Sequence, residues 1–354
     1  MSLRRVQVTD FRCLQSVVLD LDPQFTLISG ANASGKTSLL EAIYVLSRGR
    51  SFRTRRLEHL VKHGTAQFLV YGEIETTERR VRLGVEGSVA GVRARIGGTT
   101  AGSLAELALM LPVQVIDPEV HHLIEEGPSR RRRYLDWGVF HVEPTFVGHW
   151  QRYQQALRQR NAALKSRQSH SVVSAWDPDL LQYGALVTEA RTRYLGLLIP
   201  HATTIGRNLL DMELALTYRP GWTGALTFAE ALHQSRHHEQ EAGMTQVGPH
   251  RAELNIHLDG VGVKDRISRG QQKLLAAALL LAQVKLFPES ASVQPSLLLD
   301  DPAAELDDHR LAALIREVAA HSVQLIVTTL HEEFSAFGTP GQRIRIESGH
   351  LEAI

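Results

Sequence analysis

Residues 30–37 are Gly30, Ala31, Asn32, Ala33, Ser34, Gly35, Lys36 and Thr37. They match G-x-x-x-x-G-K-[ST], the pattern of a loop that holds polyphosphate with backbone N–H groups and the positive end of a helix dipole. The pattern needs a strand before it and a helix after it, and apolar patterning predicts these at 25–28 and 38–46. A glycine-rich turn that merely opens a helix is the alternative. We predict that all eight residues contact ATP, with Lys36 at the β- and γ-phosphates and the Thr37 hydroxyl ligating Mg²⁺.

The composition indicates an ordinary globular protein, with 43% hydrophobic and 22% charged residues. The length of 354 residues favours two lobes over one core. With 39 basic and 38 acidic residues the formal net charge is +1, so any nucleic-acid binding must come from local basic clusters.

Cysteine usage and hydropathy indicate a cytoplasmic protein without a membrane partner. The single cysteine, Cys13, excludes an internal disulfide and a cysteine-based zinc site, and it suits a reducing compartment. No signal-peptide pattern is present, and the longest apolar run, 274–282, is far shorter than the roughly 20 residues of a membrane span. The histidine pairs at 121–122 and 237–238 match no standard metal-site spacing, so we predict surface or packing roles for them.

A second element of the nucleotide site is predicted at 297–301, where three leucines precede Asp300 and Asp301. We expect Asp300 to hold Mg²⁺ through its water shell and Asp301 to orient or deprotonate the attacking water. The predicted catalytic residues are therefore Asp300, Asp301 and Lys36. Many buried strands end in an acid, but here Ala304-Glu305-Leu306-Asp307 follows at a suitable interval.

A third element, Ser268-Arg269-Gly270-Gln271-Gln272-Lys273, opens the most apolar helix of the chain. A serine and a glycine at a helix start form a second anion site by the same backbone logic. One subunit has little use for two such sites in one pocket, so we predict that Ser268, Gly270 and Gln271 bind the nucleotide of a second subunit. Two ATP molecules would then be sandwiched in a head-to-tail homodimer. A simple N-cap is the alternative.

The order of strand and helix patterns predicts an α/β fold with an inserted all-helical lobe. Alternating segments between 68 and 96 indicate an antiparallel sheet beside a parallel core sheet built from both chain ends. We place one lobe at 1–118 and 244–354, and the helical lobe at 119–243. A helical seam in that lobe is predicted from Leu180, Tyr183, Val187, Ala190, Tyr194 and Leu197.

The order of these motifs resembles an ABC-type ATPase head of the SMC/Rad-fifty class, and more closely the RecF family of bacterial recombination mediators. Further segments carry that resemblance across the whole chain: Thr9-Asp10-Phe11-Arg12, Ser38 to Ile43, Gly49 to Thr54, Gly127 to Arg132, Tyr134-Leu135-Asp136 and Gly248-Pro249-His250-Arg251. The resemblance implies a role for Arg12 at the nucleotide, ATP-dependent dimerisation, slow DNA-stimulated ATP hydrolysis and DNA binding. It also implies work with RecO and RecR in loading RecA at single-strand gaps.

Some positions depart from the family pattern. Ala33 stands where the loop usually has glycine, Asp10 replaces an asparagine, and Thr328-Thr329 stands where transporter ATPases carry a γ-phosphate-sensing histidine. His331 is close by in sequence. A transporter ATPase subunit remains an alternative function, although it would need that histidine and a lobe-coupling glutamine. A metabolic P-loop kinase is a third possibility, but it would have no use for residues 268–273.

Basic clusters are the candidates for DNA contact, because guanidinium groups suit phosphate oxygens. The predicted DNA-binding residues are Arg50, Arg53, Arg55 and Arg56 in one cluster and Arg130, Arg131 and Arg132 in another. Intramolecular ion pairs are an equally open interpretation. Since no zinc finger or base-stacking motif is found, we expect binding to single-stranded, duplex, gapped or junction DNA without sequence specificity.

Overall fold

The computed structural model describes residues 2–76, 79–264, 266–290, 295–304, 306–321, 323–331 and 336–353. The chain forms two compact units, unit 1 at 1–120 and 287–354, and unit 2 at 121–286. These differ from the predicted lobes at the second boundary, which lies after residue 286 rather than 243. Residues 244–286 belong to unit 2 because they include a strand paired at 214–219 and Leu279, whose carbonyl accepts a hydrogen bond from the Tyr134 hydroxyl.

The secondary structure of the described residues follows in chain order. The strands are β1 (Ser2–Phe11), β2 (Leu14–Asp20), β3 (Phe25–Ser29), β4 (Gln67–Glu75), β5 (Arg80–Ser88), β6 (Gly91–Ile96), β7 (Thr99–Thr100), β8 (Val113–Ile116), β9 (Leu214–Arg219), β10 (Glu253–Leu258), β11 (Val261–Gly262), β12 (Ser296–Asp300), β13 (Gln324–Thr329), β14 (Gln342–Glu347) and β15 (His350–Ala353). The helices are α1 (Lys36–Arg48), α2 (Leu104–Met110), α3 (His122–Glu125), α4 (Pro128–Val142), α5 (Phe146–Lys165), α6 (His170–Ser174), α7 (Asp177–Leu210), α8 (Phe228–Ala242), α9 (Arg269–Ser290) and α10 (Asp308–Ala319). No described helix combines the length and hydropathy needed to cross a bilayer.

The core sheet of unit 1 has the strand order β15-β14-β3-β13-β12-β8. Its strands are parallel except for β15, which pairs antiparallel with β14. The strands come from both ends of the chain, as predicted. Because parallel strands end at the same edge, the loop after β3 and the last residues of β12 and β13 are neighbours. The predicted phosphate loop and Asp300 therefore meet at this edge.

A second, antiparallel sheet in unit 1 has the order β2-β1-β4-β5-β6-β7. Side chains along β4 and β5 alternate between buried and exposed, so the predicted period-two faces are confirmed. Leu39, Leu40 and Ile43 of α1 belong to one buried apolar cluster with residues of both sheets. The helix ends at Gly49, whose left-handed φ of 62° lets its N–H donate to the Val45 carbonyl. This packing fixes the position of the helix that begins at Lys36.

Unit 2 is mainly helical but also holds a three-stranded sheet, β11-β10-β9. The fold class is confirmed, whereas the all-helical description of the inserted lobe is wrong in this detail. Strand β9 lies inside the predicted helical lobe, and its burial alternates over only a few residues. Such a short pattern is hard to separate from a helix end by sequence alone.

The predicted seam on α7 is confirmed at its start and wrong at its end. Leu180, Val187 and Tyr194 are buried, but Leu197 is 50% exposed and Leu198 takes the buried position instead. A helix of 3.6 residues per turn drifts away from a strict seven-residue repeat, and α7 is 34 residues long. The buried face therefore rotates along this helix.

Arg191 of α7 is the centre of a buried polar network in unit 2. Its guanidinium donates twice to the Asp136 carboxylate, at 2.7 and 2.9 Å, and once to the Pro249 carbonyl at 2.7 Å. The Tyr218 hydroxyl lies 3.3 Å from Nη1, and the guanidinium carbon is 5.2 Å from the Trp150 ring centroid. Desolvation by burial acts to lower the pKa of Arg191, but the charges and hydrogen bonds of Asp136 and Tyr218 together raise it. This side chain joins α4, α7 and the segment before β10.

His250 makes unit 2 sensitive to acid. Desolvation by burial lowers its pKa to about 4. Its Nδ1 lies 2.6 Å from the Tyr153 hydroxyl and its Nε2 lies 3.1 Å from the Thr245 carbonyl, which suits a neutral ring that accepts at Nδ1 and donates at Nε2. Between pH 6.5 and 4, His250 is protonated in the unfolded chain but stays neutral in the folded chain. The free energy of unfolding therefore falls as the pH falls.

We expect this proton to be visible in urea unfolding. The free energy of unfolding should fall on lowering the pH from 6.5 to 4, with His250 contributing at most about 1.4 kcal/mol per pH unit. In a His250→Gln protein the pH dependence should be flatter by up to that amount. Parallel profiles for the two proteins across this interval would contradict the assignment.

Candidate nucleotide-binding site

The loop at 30–37 connects β3 to α1 and folds around the amine of Lys36. Lys36 is 7% exposed, and its Nζ donates to the carbonyls of Gly30 at 2.7 Å and Ala31 at 2.8 Å. The Gly30 N–H donates to the Thr329 carbonyl on β13 at 3.2 Å. The Lys36 ammonium is thus held at the end of the core sheet and the start of α1, where the helix dipole is positive.

Backbone conformation explains two glycines of the loop and one departure from the family pattern. Gly35 has a φ of 114°, and a Cβ there would lie 2.9 Å from Leu14 Cδ2. A Cβ on Gly30 would lie 2.3 Å from the Ile346 carbonyl oxygen. Ala33 has a φ of 62°, the left-handed region that costs a residue with a Cβ about 1–2 kcal/mol. The usual glycine would adopt this turn without that cost.

Asp300 and Thr37 meet at the carboxyl edge of the sheet. The Thr37 hydroxyl lies 2.8 Å from Asp300 Oδ2 and 3.0 Å from Oδ1. Asp300 is 6% exposed and follows three fully buried leucines of β12. The structure therefore brings together the two residues that were predicted to ligate Mg²⁺ from distant parts of the sequence.

Asp301 follows with a left-handed φ of 46°, which turns the chain out of the sheet. Its backbone N–H donates to the carbonyl of Thr328 at 3.2 Å and to the Thr328 hydroxyl at 3.0 Å. Burial lowers the pKa of Lys36, and the charges of Asp301 and Asp300 partly oppose this effect. One cation and two carboxylates thus share this edge of unit 1.

Thr328 is a residue of the site that the sequence did not identify, although its position was noted. It is fully buried, and its hydroxyl donates to Asp300 Oδ1 at 2.7 Å while accepting from the Asp301 N–H. One side chain therefore holds the Asp300 carboxylate and the backbone of Asp301. The signal in the sequence is a threonine at the end of the strand that neighbours the acid-bearing strand.

Replacing Thr328 by valine keeps the shape of the side chain and removes this hydroxyl. We expect kcat for ATP hydrolysis to fall about 10-fold, because Asp300 loses a fixed donor, while ATP affinity and the melting temperature change little. Steady-state ATPase assays would measure this. Thr328→Ser should restore the rate, and Thr26→Val, an equally buried substitution at the opposite end of the sheet, should leave it unchanged. A normal kcat in Thr328→Val would contradict the role.

The residues present fit a magnesium nucleotide. Thr37 and Asp300 supply hydroxyl and carboxylate oxygens, the donors that Mg²⁺ prefers. The Ser34 hydroxyl is buried and has no hydrogen-bond partner among the described residues. An oxygen-rich edge beside a buried ammonium is suited to a polyanion with its metal.

Arg12 lies in a tight ion pair. It donates to both oxygens of the fully buried Glu41 carboxylate, at 2.8 and 2.7 Å. Ser51 donates to the same carboxylate, and Arg53 Nη1 lies 3.8 Å from it. The structure thus ties Arg12 and Arg53 to α1 through an acid to which the sequence analysis assigned no role. The sequence feature that could have indicated this pair is the position of Glu41 on the buried side of an apolar helix, because a buried carboxylate requires a cation. Nucleotide contact by Arg12 stays a prediction.

The remaining arginines of the first cluster are exposed. Arg50, Arg55 and Arg56 all present their side chains to solvent in the segment after α1. Arg48, which precedes them, instead donates to the Val113 carbonyl at 2.9 Å and stacks on the Tyr44 ring. The exposed members suit phosphate contact, which stays a prediction.

The second cluster belongs largely to internal ion pairs. Arg131 donates twice to the Glu253 carboxylate, both at 2.8 Å, and also to the Ile124 and Glu126 carbonyls. Arg130 pairs with the Glu126 carboxylate at 2.6 Å, and Arg132 donates to the Ala252 carbonyl at 2.8 Å. All three nitrogens of Arg131 are engaged inside unit 2, which favours the intramolecular alternative for this residue, and its contact with DNA stays a prediction. Arg130 and Arg132 also have partners inside unit 2, and DNA contact by these two residues stays a prediction.

The segment 268–273 begins α9 in unit 2. Ser268 is exposed, its N–H donates to Gln271 Oε1 at 3.0 Å, and the Gln271 N–H donates back to its hydroxyl at 3.3 Å. This is a reciprocal capping box. Binding of a second subunit's nucleotide by Ser268, Gly270 and Gln271 stays a prediction, as does any role of His331. Glu305 lies outside the described residues.

Comparison with known proteins gives a family match over nearly the whole chain. The family model described as RecF/RecN/SMC N terminal domain matches residues 2–349. A DNA replication and repair protein RecF from Yersinia pseudotuberculosis serotype O:1b (strain IP 31758) is 36% identical over 356 residues, covering 99% of each chain.

Solved structures agree with that match. The recombination mediator protein RecF in its ATP form, from the RecFOR pathway, superposes with a TM-score of 0.90 at 27% identity, covering 100% of this chain and 97% of that one. A Pyrococcus furiosus Smc head domain bound to the C-terminal domain of ScpA gives a TM-score of 0.62 at 18% identity, covering 100% and 96%. The second likeness confirms the ABC-type ATPase fold alone.

Proposed function

This chain belongs to the RecF family, and from that premise we propose that it is an ATP-dependent DNA-binding protein of replication, recombination and repair. The observation that supports this most directly is the assembly of Lys36, Thr37 and Asp300 at one sheet edge, within a chain matched to RecF proteins along its full length. The ATP form of the similar RecF structure supports ATP as the ligand.

We assign the following roles to the residues of the site. Lys36 and the loop N–H groups bind the phosphates, and Thr37 and Asp300 hold Mg²⁺, which neutralises charge on the phosphate oxygens when it is bound. Asp301 orients or deprotonates the attacking water, and Thr328 holds the Asp300 carboxylate and the backbone of Asp301. With no identified γ-phosphate-sensing histidine at 328–329, we propose a slow ATPase that is stimulated by DNA.

We propose that ATP acts as a dimerisation switch. Ser268 is exposed and caps a helix of 22 residues whose first turn contains Gly270 and Gln271, and the N-terminal end of such a helix suits an anion. In a head-to-tail pair each copy would present this helix start to the triphosphate held by the other. ATP then favours the dimer by its differential affinity for the two states, and hydrolysis reopens it.

Sizing by light scattering tests the switch. The unmodified protein should be monomeric alone and dimeric with ATP, and Asp301→Asn should remain dimeric for longer, most of all with gapped duplex. Ser268→Arg should bind ATP normally but fail to dimerise. An Asp301→Asn protein that is monomeric in every condition, or dimerisation that ignores ATP, would refute the proposal.

We further propose that the exposed Arg50, Arg55 and Arg56 contact DNA phosphates without reading bases. Affinity measured against salt with ATP present should fall steeply, because each neutralised phosphate contributes about 0.9 to the log–log slope. Arg55→Ala with Arg56→Ala should reduce that slope, whereas Arg193→Ala, an exposed arginine of unit 2, should not. A flat plot would exclude phosphate-dominated binding.

The place of this switch in the cell is proposed from the family. We propose that the ATP-bound dimer acts in the cytoplasm at single-strand gaps, with RecO and RecR, to help load RecA. The similar solved structures are described as belonging to the RecFOR pathway, which supports this assignment. Pull-down of RecR by the protein, with ATP and gapped DNA present, would test it.

A further inference from the structure

Two adjacent histidines and a glutamate one turn later form a compact cluster in unit 2. One potential ligand atom from each of His121, His122 and Glu125 lies within 4.8 Å of the other two. His121 is buried, His122 is half-buried and Glu125 is exposed. We propose that this triad binds a divalent transition metal, with Zn²⁺ as the best match and a fourth coordination position left for water or a further ligand.

The spacing is close to what a tetrahedral ion needs. His121 Nε2 lies 3.6 Å from Glu125 Oε2. Ligand atoms bonded to Zn²⁺ at about 2.0–2.1 Å in a tetrahedron are roughly 3.3 Å apart. This pair must close by only a few tenths of an ångström. The Glu125 side chain is 51% exposed and therefore has room to rotate toward the two imidazoles, whose ring centroids lie 4.5 Å apart.

Donor chemistry separates this cluster from the nucleotide site. Two imidazoles and one carboxylate favour Zn²⁺, Co²⁺, Ni²⁺ or Cu²⁺, whereas Mg²⁺ prefers an all-oxygen set such as Thr37 with Asp300. The two sites therefore select different ions, and zinc binding can be measured in an excess of magnesium.

The backbone that carries the triad is held in place by neighbours. Arg131 Nη1 donates to the Ile124 carbonyl at 3.0 Å and to the Glu126 carbonyl at 2.7 Å, and Ile124 itself is 2% exposed. His122 Nδ1 lies 3.7 Å from Glu126 Oε1. A carboxylate close to a metal-binding histidine can help to orient its ring. The backbone and the buried His121 are thus ordered before binding, and the exposed Glu125 side chain is the ligand with the most rotamer freedom left to lose.

A second segment of the chain has the same residue types at the same spacing and serves as a matched control for metal binding. His237, His238 and Glu241 repeat the same His-His-x-x-Glu spacing on α8. There all three side chains are exposed, at 87%, 72% and 65%. Ordering three exposed side chains costs rotamer entropy, whereas in the first cluster His121 is already buried and only Glu125 is exposed. We therefore assign zinc to the first cluster and not to its repeat.

Equilibrium dialysis of the full, nucleotide-free protein against Zn²⁺ in excess Mg²⁺ tests the proposal. We expect one tight site per chain, with a Kd on the order of 1 µM. Because Glu125 is exposed, Glu125→Gln should not disturb the fold, and it should weaken binding at least about 10-fold. A His121→Gln, His122→Gln protein should lose the tight site, and Co²⁺ bound to the unmodified protein should show the absorption of a four-coordinate ion.

Two controls make the result decisive. His237→Gln with His238→Gln and, separately, Cys13→Ser should leave the tight site intact. The proposal is overturned if the unmodified protein has no tight site, if Glu125→Gln and the His121, His122 variant bind as the unmodified protein does, or if the Cys13→Ser or His237, His238 protein loses the site instead. Melting curves without metal show whether each variant is folded.

Discussion

Replacing Lys36 by methionine should lower ATP affinity at least about 100-fold, because the site loses its buried ammonium. Lys36 is 7% exposed and lies between two loop carbonyls and two carboxylates, so no neighbouring cation of the loop can take its place. Titration with a fluorescent ATP analogue would measure the loss. If our proposed switch is right, ATP-dependent dimerisation should disappear with it.

The same substitution at Lys165 serves as the control. Lys165 is an exposed lysine at the end of α5 in unit 2, and Lys165→Met should bind ATP normally. Lys36→Met should also keep a melting temperature close to that of the unmodified protein without nucleotide, which separates a binding defect from unfolding. Unchanged ATP affinity in a folded Lys36→Met protein would show that the loop does not hold the triphosphate.

Replacing Arg191 by methionine should destabilise the protein by about 3–5 kcal/mol, because it leaves buried acceptors without their cation. Arg191 is 0% exposed and satisfies both Asp136 oxygens and the Pro249 carbonyl. Urea unfolding would measure the change. Adding Asp136→Leu to Arg191→Met should recover part of the loss, since the pair is then removed as a whole.

Arg193 provides the control on the same helix. It donates to Glu143 at 2.9 Å, a distance similar to that of the buried pair, but its side chain is 57% exposed. Water screens that pair, so Arg193→Met should hardly move the unfolding midpoint. Equal losses for the two substitutions would contradict the view that burial, rather than the ion pair itself, sets the cost.

The two basic clusters have similar sequences but different surroundings in the structure. From sequence alone, phosphate contact is equally plausible for the four arginines at 130–133 and for the looser run at 50–56. In the structure Arg131 has its partners on β10 and at the end of α3, whereas Arg55 and Arg56 are exposed. The acid Glu253, which pairs with Arg131, lies 122 positions further along the chain. Local sequence holds no trace of such a partner.

The resemblance motifs divide in the same way. Asp136 and Pro249 belong to segments that carry the likeness to the RecF family, yet both serve the buried guanidinium of Arg191. His250 and Arg132, from two such segments, also make internal contacts, to the Tyr153 hydroxyl and the Ala252 carbonyl. These residues hold unit 2 together. A segment shared with the family therefore need not contact the nucleotide.

The sequence by itself determined the α/β class, the loop at 30–37, the acid at the end of β12 and the family. Each of these can be inferred from short stretches of sequence, such as a glycine spacing or an apolar run, and from the order of those stretches, because backbone geometry repeats over short distances. The tertiary structure alone decided that Thr328 orients Asp300, that Glu41 holds Arg12, and that the second boundary falls after residue 286. Those contacts join residues far apart in the chain, and only the packing of strands and helices brings them within hydrogen-bond reach.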